Sequence, residues 1–284
     1  MKNKDYTNKS VIHVKKGDVE YLKFKSLERY SDKLVNAVTL RHGGVSTGEC
    51  KSLSFRLKGK DEIKNVYKNI EIICKIININ KNQIYRASMK HTNNVLIIDE
   101  KNKFEYEFDK FSNKEYDAYI TKEKNVALFV NTADCTPIIF YDCIKNIIGL
   151  AHAGWKGTVS KIHVNVINDF ISKFNSNPED IIVCLAPSIG KCCFSSREEN
   201  FKKEFTNVWE NEENYIKIDQ DETFYIDTHY LIKKDLLQLG IKKKNITDSN
   251  ICTNCNFEDF FSYRKSKSLG YTDYGLLATV VALK

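Results

Sequence analysis

The chain of 284 residues is 42% hydrophobic and 12% aromatic, enough apolar material for one substantial core. Charged residues at 29%, a mean hydropathy of −0.43 and three prolines exclude collagenous, low-complexity and wholly disordered classes. No apolar run approaches the ~20 residues that span a bilayer. The opening Met1-Lys2-Asn3-Lys4-Asp5 has no apolar stretch behind its charges, so a soluble, cytoplasmic protein with no membrane partner is expected.

Residues 1–20 read as a peripheral N-terminal extension. Residues 34–41 read as a strand that runs into the glycine turn His42-Gly43-Gly44-Val45-Ser46. Ile63, Val66, Tyr67, Ile70, Cys74 and Ile77 then recur at helical spacing behind an Asp61 cap. Residues 85–91 and 95–99 look like two strands joined by a Thr-Asn-Asn turn. Residues 126–130, 137–141 and 147–151 are short apolar runs with the length of buried strands. One helix is expected to carry Val159, Ile162, His163, Val166, Ile167, Phe170, Ile171 and Phe174 on a single stripe. Residues 181–185 form another buried strand. Residues 230–239 form a helix capped by Asp227 or Thr228 and stopped by Gly240, and 276–283 are a closing strand. Interleaved strands and helices, with no repeat or linker, predict one α/β domain over residues 1–284, its mixed β-sheets flanked by helices.

Forty-four Lys and Arg against 37 Asp and Glu give a net charge of +7, but only six of the cations are arginine. The lysines scatter among asparagine and isoleucine, so no nucleic-acid partner is expected. Nine irregularly spaced cysteines do not form a disulfide framework. Cys252-Thr253-Asn254-Cys255 has metal or redox spacing, but no second pair lies near it in sequence to complete four thiolates, so these read as core or turn cysteines.

Three segments break the apolar pattern at strand ends. Asn131-Thr132-Ala133-Asp134-Cys135-Thr136-Pro137 places a carboxylate and a thiol between two buried strands. Ala151-His152-Ala153-Gly154-Trp155-Lys156-Gly157-Thr158 is a strand-to-helix turn whose small residues let backbone amides approach an anion. Arg41 and Ser46 flank the earlier glycine turn. Two imidazoles and one thiolate suit a zinc ion with an open fourth position. Spacing leaves His42 and His91 as alternatives for the second imidazole. His163 reads as packed, His13 as surface and His229 as a helix-terminal residue.

The runs 131–137 and 151–158 resemble the signature of the laccase-domain family, also called the multicopper polyphenol oxidoreductase or zinc-dependent purine nucleoside phosphorylase family. The resemblance extends to residues 41–46, 116–121, 186–193, Cys252-Thr253 and Phe261-Ser262-Tyr263-Arg264. It implies a layered α/β/β/α domain and zinc ligands at His91, Cys135 and His152. The chain departs from the family at Met89-Lys90-His91-Thr92, where Gln-Val-His-Gly is usual. It also has Lys156 in place of an arginine, and Leu269-Gly270-Tyr271 where Thr-Gly-Arg is usual.

The activity implied is phosphorolysis of adenosine, and also of inosine, guanosine and methylthioadenosine, with adenosine deaminase activity beside it. Zinc would activate water for attack at C6 of adenine. Arg41, Ser46, Lys156 and Arg264 are the expected phosphate contacts, with Arg41 the stronger of the two turn cations. Asp134 is expected to transfer a proton or orient a ligand. Trp155 would stack on a base or wedge its loop. Two alternatives use the same residues. One is a copper-dependent polyphenol oxidase, though the chain holds only six histidines for a multinuclear centre. The other is a metal-free cysteine hydrolase with Cys135 as nucleophile and His152 as base.

Overall fold

A computed structural model describes residues 4–86, 89–103 and 114–284. Its first strands are β1 (Val11–Lys16), β2 (Val19–Phe24), β3 (Leu34–Thr39), β4 (Ile84–Tyr85) and β5 (Val95–Ile97). The middle of the chain supplies β6 (Ala118–Thr121), β7 (Ala127–Thr132), β8 (Thr136–Asp142), β9 (Ile147–Ala153) and β10 (Ile181–Leu185). The remainder are β11 (Ser195–Ser196), β12 (Ile216–Ile218), β13 (Phe224–Ile226), β14 (Ile246–Asp248) and β15 (Leu277–Leu283). The α-helices are α1 (Lys25–Glu28), α2 (Ile63–Ile77), α3 (Trp155–Val159), α4 (Ile162–Phe174), α5 (Glu199–Thr206), α6 (Thr228–Gln238) and α7 (Tyr263–Ser268).

Two six-stranded sheets run β1-β2-β3-β15-β7-β4 and β14-β10-β8-β9-β6-β5, and a small sheet runs β11-β13-β12. Both large sheets mix parallel and antiparallel pairs. Period-2 alternation explains the layers, because successive side chains of a strand leave on opposite faces. In β8, Ile139 and Tyr141 enter the core between the sheets, whereas Ile138 and Phe140 pack with Val166 and Phe170 of α4. In β15, Val281 and Leu283 face that same central core, while Val280 and Ala282 pack with Ile70 and Ile73 of α2. The result is an α/β/β/α domain. Fully buried side chains such as Phe140 and Phe170 each contribute about 1.5–3 kcal/mol of burial. No helix among the described residues is long and apolar enough to cross a membrane.

Two sequence expectations change. The helix expected through Val159 and Phe174 is broken into α3 and α4 at Lys161, whose φ is +62°. Lys161 Nζ reaches Asp235 of α6 at 2.7 Å, an attachment that helps explain the break. The hairpin expected over 85–99 does not form. β4 pairs with β7 in one sheet and β5 pairs with β6 in the other. The segment before β5 is instead drawn onto Asp117, and residues 87–88 lie outside the described residues. Within residues 1–20, β1 forms the edge of the first sheet, pairing along its length with β2, and Val11 is fully buried.

Candidate active site

Three neighbouring strands of the second large sheet bring the site together. Asp117 directly precedes β6, Cys135 directly precedes β8, and His152 lies near the end of β9. Because β6 and β9 pair with Ala118 opposite Ala151, the backbone carbonyl of Asp117 accepts the N–H of His152 at 2.7 Å. His91 comes from the loop ahead of β5, with a φ of +61°. Ligand atoms of His91, Cys135 and His152 all lie within 4.8 Å of one another, and Cys135 Sγ is 3.7 Å from His91 Nε2.

Asp117 organises both histidines, a role the sequence did not reveal even though the residue stands in a quoted motif. Its carboxylate accepts N–H groups of Lys90, His91 and Thr92 at 3.1, 3.0 and 2.7 Å. That holds His91 in its left-handed conformation. The same carboxylate is 2.8 Å from His152 Nδ1, which leaves Nε2 of that ring for a ligand. Burial pushes Asp117 up, but His152 and the backbone amides outweigh it and hold the carboxyl near 2. Gly154 completes the cluster. A Cβ there would stand 2.5 Å from His91 Cδ2 and 3.1 Å from Cys135 Sγ, so only glycine fits.

The electrostatics are those of a thiolate and an imidazolium. Burial raises the Cys135 thiol, yet the adjacent His152 charge and hydrogen bonds from both imidazoles bring it down to about 6. Burial lowers His152, and Cys135 together with Asp117 raises it to about 10. Soft sulfur beside two borderline nitrogens is a donor set for one zinc or copper ion. Among the described residues it gathers two of the six histidines, and the other four stand outside it, each beside a carboxylate. His13 faces Glu20, His42 faces Asp259, His163 faces Asp235 and His229 faces Asp248, at 2.8–3.0 Å.

The cluster lines a cavity of about 600 Å³. Trp155, Phe194, Phe201 and Tyr263 supply aromatic walls, and Arg264 supplies a cation. Trp155 meets Phe201 edge-on at 5.0 Å and so both lines the space and packs its loop. Arg264 Nη1 donates to the Ser195 carbonyl at 3.0 Å, which fixes the guanidinium. Asp134, with a φ of +92°, accepts the Arg264 N–H and the Thr253 hydroxyl, each at 2.7 Å. Its two oxygens therefore tie the Cys135 turn to the loop at 253 and to the first turn of α7. Burial raises the Asp134 carboxyl despite these bonds.

The four expected phosphate contacts are placed differently in the fold. Arg264 lines the cavity, whereas Arg41, Ser46 and Lys156 do not. Arg41 donates to the carbonyls of Lys51 and Phe257 at 2.9 Å and lies 4.5 Å above the Phe261 ring. Ser46 is buried and accepts from Asn69 at 2.8 Å. Lys156 is exposed, its Nζ 5.4 Å from the ring of Trp155. Gly43 and Gly44 serve packing: a Cβ on either would strike the backbone of Asp18 at 2.5 Å or of Ser52 at 2.3 Å.

Sequence reasoning also missed a second polar network. Ser188 Oγ is 2.5 Å from His229 Nε2, and His229 Nδ1 is 3.0 Å from Asp248. Ser188 is buried and bonded to Thr136 at 3.1 Å, so this serine, histidine and aspartate join β8, α6 and β14. His229 does more than terminate its helix.

Residues 35–284 match the family model described as multi-copper polyphenol oxidoreductase laccase. The chain belongs to that family. The purine nucleoside phosphorylase LACC1 of Homo sapiens is 31% identical over 240 residues, covering 82% of this chain and 52% of the human protein. The chain thus spans about half the length of that relative. The purine nucleoside phosphorylase YlmD of Bacillus subtilis is 28% identical over 236 residues, 83% of this chain and 84% of the relative. The crystal structure of YlmD from Geobacillus stearothermophilus superposes with a TM-score of 0.85 at 22% identity, covering 96% of this chain and 99% of that one. Family membership and the His91–Cys135–His152 cluster together support a metal-dependent enzyme.

Proposed function

We propose that this chain is a zinc-dependent purine nucleoside phosphorylase, converting adenosine and phosphate to adenine and ribose-1-phosphate, with slower deamination to inosine. Inosine, guanosine and methylthioadenosine fall in the same substrate class. The observation that carries the reading is the His91–Cys135–His152 cluster on the wall of an aromatic cavity that also holds one fixed guanidinium. The relatives' names support it. When bound, zinc supplies Lewis acidity toward water or toward a ribose or base oxygen.

The chain's own residues divide the remaining work. Trp155, Phe194, Phe201 and Tyr263 offer the flat apolar surface that a purine needs, and they exclude water from the reacting bond. Arg264 holds a phosphate oxygen where positive charge develops on the ribose. Asp134 positions Cys135 and Arg264 together through its two bonded oxygens. Asp117 keeps His152 in the tautomer that presents Nε2.

A second reading has its own observation. Cys135, His152 and Asp117 form a nucleophile, base and orienting carboxylate, with the thiol held near pH 6. Incubation with adenosine, with and without phosphate, followed by product chromatography separates the readings. Phosphate-dependent adenine is the expected product. Adenine formation indifferent to phosphate indicates hydrolysis, and inosine alone indicates a plain deaminase. Oxygen uptake with a phenol after copper loading restores the oxidase.

A further inference from the structure

Cys252 and Cys255, which lack partners nearby in sequence, acquire them in the fold. The turn after β10 brings Cys192 and Cys193 against them, so that all four sulfurs lie within 4.8 Å of one another. Cys192 Sγ and Cys193 Sγ are 3.5 and 3.4 Å from Cys255 Sγ. Those separations are far longer than the ~2.05 Å of a disulfide. They approach the edge of a tetrahedron whose centre lies ~2.3 Å from each sulfur, about 3.8 Å.

The surrounding backbone is shaped for thiolates. The Gly190 N–H donates to Cys252 Sγ at 3.2 Å, and the Cys255 backbone N–H points at the same sulfur. Donors of this kind offset the charge that accumulates when several thiolates share one cation. Gly190 packs closely on the cluster, since a Cβ there would lie 3.3 Å from Cys252 Cβ and 3.4 Å from Cys192 Sγ. All four cysteines are free, and Cys192 and Cys255 are exposed, which gives an ion a path in from solvent.

We propose that Cys192, Cys193, Cys252 and Cys255 form a second metal centre, a closed four-thiolate site for one structural zinc ion. Four sulfurs leave no open position for substrate, so the ion cross-links chain instead of reacting. Binding releases the thiol protons and joins two loops distant in sequence. Ile189 and Phe194, on either side of the Cys192-Cys193 turn, line the cavity, and both loops bond to residues that do. The Cys193 carbonyl accepts from Arg264, and Thr253, next to Cys252, donates to Asp134. The ion would therefore brace the supports of Arg264 and of the Cys135 turn. This inference is independent of the reaction assigned to the other cluster.

Metal analysis of the full chain tests it. Wild-type protein should carry two zinc equivalents per chain, and Cys135→Ala should keep one. X-ray absorption of that variant should show four sulfurs at about 2.3 Å and no nitrogen ligand. The double variant Cys192→Ser/Cys255→Ser should lose one equivalent and retain the one held by His91, Cys135 and His152. Should that variant not fold, alkylation of wild-type protein mapped by mass spectrometry gives the same answer. The four cysteines should be protected together and become reactive together on chelation. Zinc-free Cys135→Ala protein, or four thiols that react at once in zinc-supplied wild type, would overturn the proposal. So would two disulfides in place of the metal.

Discussion

Two glycine turns look alike in sequence and end in different chemistry. Residues 41–46 and 151–158 each follow a strand and combine histidine, glycine and a cation. In the first, Gly43 and Gly44 admit neighbouring backbone, and Arg41 is used up on two carbonyls and two aromatic rings. In the second, Gly154 admits the ring of His91 and the sulfur of Cys135, and His152 faces the cavity. A glycine states that something approaches closely. It does not state whether the visitor is backbone, a catalytic ring or a ligand.

The comparison is most exposed at His152. His152→Ala should eliminate zinc at this site and abolish turnover, whereas Arg41→Ala should leave the zinc content of the cluster unchanged; metal analysis of both variants reads the contrast. Next in size is Asp117→Asn, which removes the charge behind His152. Zinc affinity should fall about 10- to 100-fold, measured by competition with a chelating dye. If affinity is unchanged, Asp117 does not organise the ligands.

The electrostatics of the second turn give a pH prediction. The Cys135 pKa is lowered from 9.0 to about 6, so in zinc-free protein the thiolate persists above about pH 6. Its alkylation rate should rise with pH through that value and level off above it. In His152→Ala the midpoint should move upward, because the imidazolium that favours the thiolate is gone. A midpoint near 9 in wild-type protein would show that the two groups do not form an ion pair.

The cations should separate by kinetics. Arg264→Ala should raise the KM for phosphate roughly tenfold with a smaller effect on nucleoside, the scale of one charge-assisted hydrogen bond. Lys156→Ala, exposed beside Trp155, should change it less. Arg41→Ala should cost about 1–3 kcal/mol of stability through its lost hydrogen bonds while KM for phosphate stays constant. A selective rise in that KM for Arg41→Ala would return the first turn to the site.

Much of the architecture was legible because it rests on local periodicity. Residues 126–130, 137–141, 147–151 and 181–185 are apolar on both faces, and they became β7, β8, β9 and β10, covered by sheet on one side and helix on the other. The Asp227 cap was legible too, since its carboxylate accepts the Tyr230 N–H at 2.9 Å and opens α6. By contrast, the runs at 85–91 and 95–99 were close enough in sequence to suggest a hairpin. Pairing partners are chosen by long-range register, and the Asp117 carboxylate redirected the segment between them.

The thiol and imidazole residue types of the candidate cluster were readable in the chain, but spacing left His42 and His91 open, and only the family resemblance pointed to His91, which the fold brings beside Cys135 and His152. What sequence alone could not decide was which groups share a volume. Arg264 reached the cavity and Arg41 did not, although both carry the same guanidinium. Asp117 became the support of two histidines that lie 26 and 35 residues from it. Cys192 and Cys193 met Cys252 and Cys255 across some 60 residues because the turn after β10 and the loop after β14 fold against each other. Periodicity encodes which face of an element is buried; the coming together of distant polar groups depends on how the layers stack, and that is settled only when the whole core is packed.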